Sequence, residues 1–147
     1  MAPSLATRIT SAVITGHGKL YLATDGLIGH RLLGVPCLIM RSVGAKSGAP
    51  RANSLTYAMD GASYLVVAST GGGPKNPAWF HNLRKHPDAV AQIGRRRVPV
   101  TAHSVLPGDA DYERLWKIVN DNNKQRYAAY QRLTSRPIPV VVLTPKP

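Results

Sequence analysis

The chain has a single cysteine, Cys37, in 147 residues, so no disulfide framework is available to it. Cys37 sits inside an apolar run, where a lone thiol behaves as a small buried hydrophobe, and a reducing, cytoplasmic setting fits. Long hydrophobic runs are missing as well. No stretch approaches the roughly 20 apolar residues needed to span a bilayer, and the N-terminus lacks the apolar core of a signal peptide. A soluble chain, at most peripheral to a membrane, is the expectation. Repeats and low-complexity tracts are absent and no boundary is visible, so residues 1–147 read as one domain, long enough for a core without staples.

Acidic residues are scarce: 7 Asp and Glu stand against 19 Lys and Arg, giving a net charge of +12. So few carboxylates argue against acid/base catalysis by a carboxylate pair, and no Ser, His and acid arrangement stands out. His81 and His86 are five apart without an acidic neighbour, so they share no helical face and no metal site is expected. An enzyme of this composition would leave the hard chemistry to a cofactor and supply binding and orientation. The positive excess suits a polyanion, whether nucleic acid, an anionic membrane face or a cofactor with phosphate and carboxylates. The cations cluster at Arg41 to Arg51, Lys75, Arg84 to His86 and Arg95 to Arg97 rather than in a tail, so they belong to the folded body.

What is present is organised around Val43 to Tyr57, which carries Gly44-Ala45-Lys46-Ser47-Gly48-Ala49-Pro50-Arg51 between two strand-like runs. Glycines let the backbone turn its N–H groups toward one point, while Lys46 and Arg51 supply charge and Ser47 a hydroxyl. An anion-binding turn and a merely solvated hairpin loop both fit this string. The P-loop order is absent. A second unusual loop, Ser69-Thr70-Gly71-Gly72-Gly73-Pro74-Lys75-Asn76-Pro77, leads from a strand to a helix start, where close backbone approach and a partial positive charge favour a flat or anionic ligand over a simple connector.

The coarse pattern is mainly β with flanking helices. Residues 3–15 space apolar side chains helically, with Ser4 as N-cap, and His17 to Leu22 extends helix after a Gly-centred break. Gly26 to Gly34 reads as loop. Val35 to Met40 reads as a strand buried on both faces, and Arg51 to Tyr57 as an alternating strand before the Asp60-Gly61 hairpin and Ser63 to Ala68, with the two strands pairing there. Ala89 to Ile93 and Val98 to Val105 flank Gly94 to Arg97, and Ile138 to Leu143 is a final strand. Helices are expected from Asn76 as cap with Pro77 first, from Pro107-Gly108-Asp109 onward, and around Tyr127, Tyr130 and Leu133. About six mostly antiparallel strands make a small barrel that fills its own interior, so a ligand lies in a surface groove or between protomers. Trp79 and Phe80 read first as core, and Tyr127 and Tyr130 as packing residues or proton donors to a substrate.

Taken together, Gly44 to Arg51, the Tyr64 to Ala68 strand, Ser69 to Lys75, Asn76-Pro77-Ala78-Trp79-Phe80-His81-Asn82-Leu83, Tyr130-Gln131 and Ile138 to Leu143 resemble the deazaflavin-dependent nitroreductase family of actinobacteria, over about Gly34 to Pro145. The resemblance implies a split β-barrel (residues 34–145, after an N-terminal helix at 1–16) of the FMN-binding-like class, using the 8-hydroxy-5-deazaflavin coenzyme F420. It implies phosphate and polyglutamate contacts at Ala45, Lys46, Ser47 and Arg51, with Lys75 close by. Ala52, Asn53, Ser54, Leu55 and Thr56 with Ser69, Thr70, Gly71 and Gly72 would lie along the ring and ribityl chain, and Trp79, Asn82 and Leu83 would close the groove. Tyr130, with Tyr127 one turn away, would contact or protonate the acceptor. The implied reaction is hydride transfer from reduced F420 to a quinone, an activated enone or a nitro compound. Leu133 stands where the family has a further tyrosine, which bears on bulky nitroimidazole substrates. An FMN or haem protein of the same barrel class is the nearer alternative, and a nucleic-acid-binding barrel the further one, since Trp79 and Trp116 fall on helices rather than among basic strands. No nucleic acid partner is expected. The implied partners are a small-molecule acceptor, a membrane surface touched through the N-terminal helix at the inner face of the cell membrane, and at most a second copy of the chain.

Overall fold

In the computed structural model, which describes residues 5–29, 31, 32 and 34–147, the chain runs α1 (Leu5–Ala23), β1 (Arg31–Leu32), β2 (Val35–Val43), β3 (Pro50–Thr56), β4 (Ala58–Asp60), β5 (Ser63–Val67), a 3-10 turn (Thr70–Gly72), α2 (Ala78–Lys85), β6 (Asp88–Ile93), β7 (Arg96–Val105), α3 (Tyr112–Asn122), α4 (Arg126–Gln131) and β8 (Val140–Pro145). The strands form one sheet in the order β1-β2-β6-β7-β8-β5-β4, with β3 on β2. Every pairing is antiparallel.

Side-chain alternation explains why the sheet curls. On β2, Leu38 and Met40 point into one cluster with Val66, Ala91, Val100, Val141 and Leu143, while Cys37 and Ile39 point the other way. Strands β5 and β8 do the same, sending Tyr64, Val66, Val141 and Leu143 inward and Leu65, Val67 and Val140 outward. The inward set meets from five strands and is joined by Trp79, Phe80 and Leu83 of α2, which makes the interior of a split barrel. The outward set is equally apolar and must also be covered. Helix α1 covers Cys37 and Ile39 through Tyr21, and α3 with α4 covers Leu65, Val67 and Val140 through Leu115, Val119 and Tyr127. A molecule with helices on its outer faces follows.

Helix α1 is fastened at its C-terminal end by a polar lock. Tyr21 donates its hydroxyl hydrogen to the Cys37 carbonyl at 3.0 Å and accepts from the Gly94 N–H at 3.0 Å. Gln92, fully buried, donates to the Asp25 carbonyl and accepts from Arg41 Nε at 2.8 Å. The Gln92 hydrogen bond, with Arg97 and Arg41 beside it, holds the Asp25 carboxyl below the usual carboxylate range. Gly26 closes the lock: at φ +85°, a Cβ there would lie 1.7 Å from the Gly94 carbonyl oxygen.

Several local expectations change. Helix α1 runs unbroken through Gly16 and Gly18, because Gly18 lies against Ser54, where an added Cβ would sit 3.5 Å from the serine Cβ. Ser4 lies outside the described residues. β3 pairs along its whole length with β2, from Cys37↔Thr56 to Val43↔Pro50, and the Asp60-Gly61 hairpin joins the short β4 to β5 instead. The short β1, Arg31–Leu32, interrupts the expected loop, and β6 and β7 run longer than expected, leaving Gly94 and Arg95 as their turn. Pro77 occupies the cap position of α2, with Asn76 bound to Arg136 rather than capping. The Asp109 carboxylate accepts from the Leu106 N–H at 2.8 Å, ahead of α3. Leu133 falls beyond α4 and is exposed.

Tyr21→Phe strands the Gly94 N–H and removes a donor to Cys37, so it is expected to cost about 1–3 kcal/mol. The measurement is urea unfolding of the two proteins; equal midpoints would show that the lock does not hold α1.

Candidate functional site

Where the outer face of β3 meets α1, α4 and the loop after β5, a cavity of about 530 Å³ opens. Its apolar wall includes Ile14, Leu32, Leu55, Val67 and Trp79, and its hydroxyls come from Thr15, Ser54, Thr56, Ser69, Thr70, Tyr127 and Tyr130. Arg126 and His17 also line it, and no carboxylate does among the described residues. The shape and chemistry suit a flat, largely apolar ring with a few polar edges.

The tight link between α3 and α4 aims the tyrosines. Lys124 and Gln125 adopt left-handed backbone at φ 57° and 63°, a strained choice for two residues with side chains. Asn120, 3% exposed, holds the turn: its Oδ1 accepts from the Ala128 N–H at 2.7 Å and its carbonyl from the Gln125 N–H at 2.8 Å. Helix α4 then presents Tyr127 and Tyr130 to the cavity, their rings edge to face at 6.3 Å. The two hydroxyls differ in use. Tyr127 is buried and shares a hydrogen bond of 2.6 Å with Thr56; burial pushes its phenol pKa up, against hydrogen bonds from Thr56 and Asn123. Tyr130 is half-buried, and its hydroxyl has no hydrogen bond to any described residue.

The loop after β5 is the other wall. Thr70, Gly71 and Gly72 are consecutive left-handed residues at φ 47°, 60° and 85°. Gly72 is required, because a Cβ there would lie 2.8 Å from the Tyr130 carbonyl oxygen. Arg136, just before β8, binds this loop from behind: Nε donates to the Gly73 carbonyl at 2.9 Å, Nη2 to Ser69 at 2.9 Å, and Nη1 to Ala68 at 3.1 Å and to Asn76 Oδ1 at 2.7 Å.

The basic loop lies at the far end of β3. From Thr56, in the cavity, to Arg51 is five residues, roughly 16 Å of extended chain. The loop is closed by Gly44 N–H to Ala49 O at 2.8 Å and Gly48 N–H to Gly44 O at 2.9 Å, with the Ser47 hydroxyl accepting from the Ala49 N–H at 3.1 Å. Gly44 is confined here, since a Cβ would meet Ser47 Oγ at 2.7 Å. Helix α2 braces the loop on both sides of one residue: Asn82 Oδ1 accepts from the Ala45 N–H at 2.9 Å, and Lys85 Nζ donates to the Ala45 carbonyl at 2.7 Å. Lys46 and Arg51 are exposed and form no ion pair with a described residue.

Of the residues the sequence nominated, Ser54, Leu55, Thr56, Ser69, Thr70, Gly71, Trp79, Tyr127 and Tyr130 meet at the cavity. Ala45, Lys46, Ser47 and Arg51 form the separate loop. Ala52 packs beneath α1, Asn53 lies on β3 outside the cavity lining, Gly72 backs onto Tyr130, and Lys75 is exposed beyond the turn. Asn82 is a brace, and Leu83, 3% exposed, belongs to the barrel interior. Sequence reasoning missed Lys85, Arg126 and Arg136, and the α1 residues Ile14, Thr15 and His17. The Arg84 to His86 cluster was a signal for Lys85. Nothing local marked Arg136.

The model of the family described as F420H(2)-dependent quinone reductase matches residues 14–145. The chain belongs to that family. It is therefore an F420-dependent reductase, which decides for the deazaflavin over FMN or haem. An F420H(2)-dependent quinone reductase of Mycobacterium tuberculosis strain H37Rv is 55% identical over 129 residues, covering 87% of each chain. Among solved structures, the F420-H2 dependent reductase FDR-A is 34% identical with a TM-score of 0.66, covering 74% of this chain and 93% of that one. Another, described as a domain-swapped dimer, is 29% identical with a TM-score of 0.68, covering 95% and 99%.

Cys37 also borders the cavity, yet it is 1% exposed, and burial pushes its thiol pKa up to about 11 against a hydrogen bond at Leu32. The thiolate is the reactive form. The folded chain should therefore resist iodoacetamide at pH 8 and react on unfolding in denaturant, read by mass spectrometry; rapid labelling of the folded chain would contradict this burial.

Proposed function

We propose that this chain reduces a quinone with reduced F420, holding the deazaflavin ring and the acceptor in the cavity and the phosphate and glutamate tail along β3 and the basic loop. The observation that carries the reading is a cavity with no carboxylate among the described residues, joined by one strand to a loop whose Lys46 and Arg51 pair with no described acid. A ligand flat at one end and acidic at the other fits both. When bound in its reduced form, the coenzyme supplies the hydride.

The chain's own groups supply position. Lys46, Ser47 and Arg51, joined by Lys85, hold the acidic tail, with Asn82 fixing the loop from below. Ile14, Leu32, Leu55 and Val67 exclude water and accept an apolar acceptor ring, while Trp79 offers an aromatic surface. The Tyr130 hydroxyl is free to hydrogen-bond an acceptor oxygen and to supply the proton that accompanies the hydride. Tyr127, committed to Thr56, holds the wall instead. Catalysis is by orientation and exclusion of solvent.

We further propose peripheral contact with an anionic membrane surface. Val13, Leu20, Leu27 and Ile28 are exposed on α1 and the segment after it, Lys19 lies among them, and the net charge is +12. Among the described residues no helix is long and apolar enough to cross a membrane. The combination fits interfacial attachment. Sedimentation with vesicles should follow their anionic lipid content; equal partition with neutral vesicles, or dimerisation that hides these side chains, would overturn it.

The reductase reading is tested by fluorescence titration with oxidised F420, alongside FMN and a single-stranded oligonucleotide. Micromolar or tighter binding to F420 alone is expected. Lys46→Ala and Arg51→Ala should each weaken it by about 1.5–3 kcal/mol, more at low salt, with melting temperatures unchanged. Preference for FMN or the oligonucleotide, or full affinity in both variants, would overturn the assignment. Quinone turnover should fall in Tyr130→Phe while F420 affinity holds.

A further inference from the structure

We propose that Arg136 is a positioning residue for the coenzyme: by taking the Ala68 and Ser69 carbonyls, it aims the N–H groups of Ser69 and Thr70 at a ring carbonyl of the deazaflavin. The inference rests on the F420 reading above and adds the donor pair that fixes the ring.

Peptide geometry carries the first step. In a trans peptide the C=O and N–H are coplanar and point in opposite directions. The Ala68 carbonyl receives Nη1 at 3.1 Å and the Ser69 carbonyl Nη2 at 2.9 Å. The N–H groups of those two peptides belong to Ser69 and Thr70, so both point away from the guanidinium. Both residues line the cavity, and Arg136 does not. Neither N–H donates to a described backbone group, and nor does that of Gly71, whereas those of Gly72 and Gly73 are satisfied by the Ser69 and Thr70 carbonyls. Adjacent donors with no internal partner, on a turn held in left-handed backbone, leave the ligand as their acceptor.

The cation also strengthens the donors. Arg136 forms no ion pair with a described carboxylate, and its partners are three carbonyls and one carboxamide oxygen. A positive charge behind two aligned peptides polarises each, making its N–H more positive on the cavity side. Gln131 ties Arg136 to α4 by donating to the Arg136 carbonyl at 2.8 Å while its Oε1 accepts from the Ile138 N–H at 3.0 Å. The ring donors and Tyr130 thus share one support.

The test uses 8-hydroxy-5-deazariboflavin, the coenzyme's chromophore without phosphate or glutamates. Adding it to the ¹⁵N-labelled chain should shift the Ser69 and Thr70 amides and slow their hydrogen exchange. Arg136→Met should weaken both this compound and F420 by about tenfold or more, Arg136→Lys should restore little because one ammonium cannot span three carbonyls, and Lys46→Ala should weaken F420 alone. If the wild-type chain binds both compounds and the two amides neither shift nor gain protection, the Arg136 assignment is overturned and the cofactor reading stands. If it binds neither, both are overturned. The amide measurement needs no variant, so a variant that fails to fold leaves it decisive.

Discussion

Strands that are apolar on both faces are the constraint on which this structure depends. Leu38 and Met40 of β2 fill the barrel, and Cys37 and Ile39, one residue out of phase, would face water if the barrel stood alone. The same holds for Leu65 and Val67 of β5 beside Tyr64 and Val66. Covering the outer faces takes α1 on one side and α3 with α4 on the other, and two separate covers leave a seam. The cavity is that seam. Its ring-sized volume is a by-product of how far apart the covers must stand, and its polarity comes from the residues at their margins: Ser54 and Thr56 from β3, Tyr127 and Tyr130 from α4, and Ser69 and Thr70 from the loop.

The sequence made some of this legible for identifiable reasons. Asp60-Gly61 marks its hairpin because that turn demands left-handed backbone, and Gly61 has φ +60°. The two-faced burial of β2 was readable as an unbroken apolar run, and the tight turn of Gly44 to Arg51, with its exposed Lys46 and Arg51, as glycines interleaved with cations. The partner of β3 was not readable, since Arg51 to Tyr57 suits either neighbour, and the tight closure of Gly44 to Ala49 folds β3 back on β2. The length of α1 was misjudged because glycine lowers helix propensity, and here the close approach of Gly18 to Ser54 outweighs it. Arg136 left no local trace, as its partners are mostly backbone carbonyls contributed by a loop some 60 residues earlier in the chain. A side chain that reads backbone leaves no pattern of complementary residues to find.

The scarcity of carboxylates constrains the chain as much as the cations do. Asp25, Asp60, Asp88, Asp111 and Asp121 are all spent on ion pairs away from the cavity and the basic loop. Lys46, Arg51, Lys85 and Arg126 therefore have no ion-pair partner among the described residues and, in the proposed function, would be left to the ligand, while Arg136 binds only neutral dipoles. In that reading the grip is divided between two places. Long, flexible cations at one end of β3 would hold an acidic tail loosely, whereas a loop held by four hydrogen bonds at the other end would tolerate little displacement of a ring. That division matches the demands of hydride transfer, in which the distance between donor carbon and acceptor decides the rate and the position of the tail does not. A stiff loop is needed only where the reacting atoms would lie, and in the proposed reading that is the side of the cavity held by Arg136, Gly72 and the left-handed Thr70.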